Sequence, residues 1–133
     1  METSDLTRSV SAVMAEERGR IRPLPLRAAD RRELFREWCE RNPDVLRDIE
    51  LTALSIDAHG MRVSTKYLIE RQRYEGRYKA EGVPYVDYQG TAHVYSINNS
   101  DSSLMARWLL DRHPGMNIET RRSMFDGGGD GDA

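Results

Sequence analysis

The sequence predicts a mainly helical domain that carries one small β-hairpin. Three observations support this. Apolar residues recur at helical spacing in successive stretches, proline and glycine fall where those helices should start and stop, and one Tyr- and Val-rich stretch is broken at Gln89-Gly90. The length of 133 residues, 38% of them hydrophobic, fits a single compact domain with ends to spare. The expected division is an N-terminal arm and connector over 1–27, a domain over 28–125 and an acidic, glycine-rich tail over 126–133.

In the arm, Leu6, Val10, Val13 and Met14 lie at the spacing of a short amphipathic helix, and Pro23 and Pro25 make the following stretch an extended connector. A first core helix is expected over Ala28–Arg41, with Leu34, Phe35, Trp38 and Cys39 on one arc. Asn42-Pro43 then supplies an N-cap and a first helical residue for a second helix that runs to Ala58 and stops at His59-Gly60. That helix has two apolar faces: Val45, Ile49, Ala53 and Ile56 on one, Leu51, Leu54 and Ala58 nearly opposite. The second face would permit a homodimer, a protein partner or packing of the N-terminal helix.

Ser64 can cap a third helix from Thr65 to Arg77, joined to the second by a short turn. Tyr85, Val86 and Tyr88, then His93, Val94, Tyr95 and Ile97, flank the turn of the hairpin. A fourth helix starts at Ser100 or Asp101, places Leu104, Met105, Trp108 and Leu109 on one arc, and ends at His113 before Pro114-Gly115; Met116–Met124 reads as a last short helix. Three helices, a hairpin and a helix is the order of a winged helix-turn-helix with a helix appended.

Several function classes are excluded or disfavoured. The chain has a single cysteine, Cys39, so it has no internal disulfide, and no Cys or His pairs fall at zinc-site spacing. His59, His93 and His113 lie at a helix end, in a strand and before a proline, where structural roles are expected rather than metal ligation. No nucleophile elbow, phosphate-binding Gly-rich loop or metal-nuclease carboxylate motif occurs, so no catalytic residue, cofactor or metal is expected. With no secretory start and no membrane-length apolar run, the expected location is the cytoplasm.

Charge is the informative quantity. The formal net charge is -2, yet residues 19–125 hold 18 Lys and Arg against 15 Asp and Glu, and 62–79 alone hold six against two. On a helical projection at roughly 100° per residue, Arg62, Lys66, Arg73 and Arg77 fall within about 60° of one another, and Tyr67, Tyr74 and Tyr78 take a different arc. This sorting suits a recognition helix, whose cations meet duplex DNA while another face packs on the core. A solvated face of an ordinary amphipathic helix would look the same, and Glu70 at the stripe's edge would repel phosphate. The second constellation is Asn98, Asn99, Ser102, Ser103 and Arg107 around the start of the fourth helix. Its donors could bind phosphate, or its side chains could simply cap the helix.

The stretch RELFREWCERNPDVLRDIELTALSIDAHGMRVSTKYLIERQRYEG, with a hairpin and then YSINNSDSSLMARWLLDRHPGMNIETRRSM, resembles a family of small bacteriophage and prophage proteins over about Arg32 to Met124. The shared features are the Asn42-Pro43 helix start, the helix from Ser64 to Glu75, and Ile97-Asn98-Asn99 with Ser103 and Ala106-Arg107; the piece between Tyr74 and Tyr95 is longer here. The resemblance implies a phage or mobile-element setting in a bacterial host cell, and no activity. The combined expectation is a regulator that contacts duplex DNA. The alternative is a phage protein that inhibits a host protein or defence complex. A basic patch joining Lys66, Arg73 and Arg107 would favour DNA, and an exposed apolar strip through Leu51 and Leu54 would favour a protein partner.

Overall fold

The computed structural model describes residues 19–76 and 78–118. Its elements are β1 (Arg20–Ile21), α1 (Ala28–Arg41), α2 (Pro43–Ala58), α3 (Thr65–Glu75), β2 (Val83–Val86), β3 (Ala92–Tyr95) and α4 (Ser102–Arg112), the last entered through a 3-10 turn at Asn99–Asp101. The expected N-terminal helix, the tail and residues 119–124 of the last expected helix lie outside the described residues.

Two helices fill the base of the core. Leu34, Phe35 and Trp38 of α1 meet Val45, Leu46, Ile49 and Ala53 of α2, all buried. Leu68 and Ile69 of α3, Met105 and Leu109 of α4, and Val83, Tyr85 and Tyr95 of the sheet close over them. The second apolar face expected on α2 is mostly absorbed. Leu54 packs against the core, which leaves Leu51 as the large exposed apolar residue of that face.

Asn42 has a different job from the one its position suggests. It sits at the N-cap of α2 without a side-chain capping bond. Its Nδ2 donates to the Trp38 and Glu81 carbonyls, both at 2.8 Å, and its Oδ1 accepts from the Glu81 N–H at 2.6 Å. The buried amide thus fixes the approach to β2 onto the α1–α2 corner.

The connector expected to be merely extended also pairs. β1 lies parallel to β2, with Arg20 opposite Tyr85 and Ile21 opposite Val86, and β2 pairs antiparallel with β3. Gly19 is required at the entry to β1, because its φ is +78° and a Cβ there would lie 1.8 Å from the Pro84 carbonyl oxygen. Behind the strand, buried Arg22 donates to Asp30 at 2.9 Å and to Glu33 at 3.0 Å. The hairpin turn is organised by Asp87, whose Oδ1 accepts from the Gln89 and Thr91 N–H groups and whose Oδ2 pairs with His93 Nε2 at 2.9 Å. Residues 116–118 are extended rather than helical: Val63 forms a parallel bridge with Ile118, and its N–H donates to the Asn117 carbonyl at 2.8 Å.

No helix among the described residues is long and apolar enough to cross a membrane.

Candidate nucleic-acid interface

The packing of α3 settles which of its faces is available. Thr65, Leu68, Ile69 and Gln72 are buried, and Ile69 is fully buried although the sequence offers it no obvious partner. The opposite face carries Lys66, Tyr67, Glu70, Arg73 and Tyr74 at the i, i+1, i+4, i+7, i+8 spacing of a single stripe. Tyr67 is 50% exposed and Tyr74 is 78% exposed. The tyrosines therefore do not form the packing face, and cations and aromatic rings share one outward surface. Arg73 lies over the Tyr74 ring, 5.8 Å from its centroid.

Of the remaining charges of α3, Arg71 and Glu70 are engaged by neighbouring elements, and Glu75 at its end is exposed. Arg71 donates to Asp48 and Thr52 of α2, both at 3.3 Å. Glu70, the group expected to repel phosphate, accepts a hydrogen bond from Asn99 Nδ2 at 3.1 Å. It therefore links α3 to the start of α4.

Arg62, Ser64 and Lys66 at the head of α3 and Ser102 and Ser103 at the head of α4 line one cleft of about 270 Å³. Ser64 caps α3 by accepting from the Tyr67 N–H at 3.2 Å. Of the expected site residues, Arg62, Lys66 and Ser103 thus come together. Arg73 lines a second cleft at the far end of α3, and Arg107 lines a third between α1, α2 and α4. Arg77 lies outside the described residues.

Asn98 and Asn99 are engaged locally. Asn98 Oδ1 accepts from the Ser100 N–H at 2.8 Å, and the Asn98 N–H donates to Asp101 Oδ2 at 3.1 Å, a reciprocal cap. Asp101 is fully buried and also receives Arg31 at 3.0 Å and the Tyr95 hydroxyl at 2.9 Å. Burial, and then the Asp101 carboxylate, push the Tyr95 hydroxyl pKa far up.

The histidines are hydrogen-bonded as well. His59 Nδ1 meets the Ser55 carbonyl oxygen at 2.7 Å, His93 pairs with Asp87 and stacks on Tyr85, and His113 lies 2.6 Å from Glu50. Among the described residues there is no cluster of metal-ligating side chains. Cys39 is half-buried, and burial, followed by the nearby Glu40 charge, raises its thiol pKa to about 12.

The sequence reading missed Tyr67 and Tyr74 as part of the outward surface, although their i, i+7 spacing beside Lys66 and Arg73 carried the signal. No family model, curated protein or solved structure matches the chain.

Proposed function

We propose that the protein is a non-catalytic DNA-binding protein that presents the outward face of α3 to duplex DNA. The observation that carries this reading is the unpacked stripe of Lys66, Tyr67, Arg73 and Tyr74 on the side of α3 opposite its buried residues. A helix whose core face is already satisfied, and whose other face mixes cations with exposed rings, has the composition that meets phosphates and base edges. Glu70 sits in the same stripe, but its carboxylate is held toward Asn99. Arg62 and Lys66, beside the heads of α3 and α4, would take phosphate oxygens, with Ser103 in the same cleft.

The element order supports a winged helix-turn-helix reading in which α2 and α3 form the helix pair and the β2–β3 hairpin is the wing. The third strand, β1, precedes α1 and would cover the wing's other edge. Use as a regulator of phage or prophage genes in the bacterial cytoplasm rests on the resemblance over residues 32–124. The test is duplex binding as a function of salt, for the protein and for a Lys66→Ala, Arg73→Ala double variant.

A second reading has its own observation. Phe35, Cys39, Leu46, Leu104 and Trp108 line a groove of about 700 Å³ between α1, α2 and α4, to which α3 contributes nothing. Arg32, Arg36 and Arg47 on its rim are exposed. Such a groove suits a host protein held by an inhibitor. Capture of DNA by the α3 face would leave it unused.

A further inference from the structure

We infer that the cleft at the C-terminal end of α3 takes an unpaired nucleobase of a DNA strand. This rests on the nucleic-acid reading of α3 and adds what kind of DNA the protein prefers: duplex next to an unpaired or extruded base.

The cleft has a volume of about 400 Å³, enough for one base. Three kinds of group meet in it. Tyr74 and Tyr78 line it and both expose their side chains, at 78% and 41%. Flat aromatic surface left in water is what an unstacked base pairs with, whatever its sequence. Arg73 and Lys79 line the same cleft and are exposed, so a strand that delivers a base there would find cations for its flanking phosphates. Ile97, buried, contributes an apolar wall from the end of the hairpin.

The third group is Gln72. It also lines the cleft, and it is 6% exposed. Its Nε2 donates to the Tyr78 carbonyl oxygen at 2.7 Å, which fixes the amide orientation, since the reverse would set two acceptors against each other. The amide Oε1 is left buried with no hydrogen-bond partner. A buried acceptor without a donor is the exception in folded proteins, and the ring or exocyclic N–H of a base is a donor of the right kind. Gly76 allows the chain to pass this closely: a Cβ there would lie 2.6 Å from Gln72 Nε2 and 2.5 Å from the Gln72 carbonyl oxygen. The Tyr78 carbonyl, the Gln72 amide and the Gly76 backbone therefore form one compact wall.

Because Lys66 and Arg62 lie at the other end of α3, the two ends divide the work. The duplex backbone would run along the helix from its head to Arg73, and the cleft beyond would take the base that leaves the stack.

The experiment compares a blunt duplex with the same duplex carrying a short single-stranded extension that contains 5-iododeoxyuridine. Affinity is measured for each, and photo-crosslinks are mapped by mass spectrometry. The expected result is about tenfold tighter binding to the extended DNA, the range of one stacked base, with crosslinks at Tyr74 or Tyr78. Tyr78→Ala should abolish that preference while leaving blunt-duplex binding unchanged, and Tyr78→Phe should retain it. Equal affinity for both DNAs with crosslinks elsewhere would overturn the inference and leave the duplex reading standing. Crosslinks at these tyrosines without any blunt-duplex binding would support the cleft and sink the duplex reading. Binding of a free deoxynucleotide as tight as that of the strand would overturn the assignment to a strand.

Discussion

Arg31 of α1 and Asp101 at the start of α4 are 70 residues apart in sequence and share a hydrogen bond of 3.0 Å, with the carboxylate completely buried. The same carboxylate holds the Tyr95 hydroxyl and the Asn98 N–H, so one side chain joins α1, β3 and α4. Asp101→Ala leaves Arg31 and Tyr95 without their acceptor, and is expected to cost about 3 kcal/mol of stability in urea unfolding. A loss below about 0.5 kcal/mol would mean that the carboxylate does not hold these elements together.

Ile69 tests the packing of α3. It is fully buried, so Ile69→Ala should cost roughly 2–5 kcal/mol. Tyr74→Ala, on the exposed face, should stay within about 0.5 kcal/mol of the parent. Thermal unfolding of the two variants checks the assignment of faces; equal effects would contradict it.

Much of this fold is legible in the sequence, and the reason differs by element. The bounds of α1 and α2 follow from an apolar arc and from Asn42-Pro43, which are local signals. The β1–β2 pairing is not legible, because two residues beside prolines carry no period and the partner is more than sixty residues away. The role of Asn42 is hidden for a similar reason: its sequence neighbours say N-cap, whereas Glu81, which it binds, is distant. The stripe of α3 is readable as to which residues share a face. Which face is buried depends on Leu68 and Ile69 meeting the rest of the core, and the tyrosines, large and apolar in part, pointed to the wrong side.

Acid should destabilise the protein in a defined window. Hydrogen bonds from Arg27 and then Arg22 hold Asp30 below the ordinary carboxylate range; Arg112 and then His113 do so for Glu50, and His93 and then the Thr91 N–H for Asp87. Each folded-state pKa lies below the unfolded one. The stabilisation is therefore present above about pH 4 and is lost as pH falls through the folded values. Melting temperature followed from neutral pH to about pH 2 should drop below that point, and less steeply in Asp87→Asn. A flat profile would contradict the three pairings.

Cys39 should be slow to react. With its thiol pKa raised to about 12 by burial, alkylation by iodoacetamide at neutral pH should run at least about a hundredfold slower in the folded protein than in urea. Comparable rates would show that the side of α1 facing the groove opens readily.

On the reading proposed above, the outward face of α3 is an electrostatic contact for DNA. The most direct measurement is the affinity for a random-sequence duplex across a salt series, for the parent and for Lys66→Ala, Arg73→Ala. Binding should weaken steeply with salt, with a log–log slope shallower by about 2 in the double variant, one unit per lost phosphate contact. Absence of binding at low salt, or an identical slope in both proteins, would contradict it.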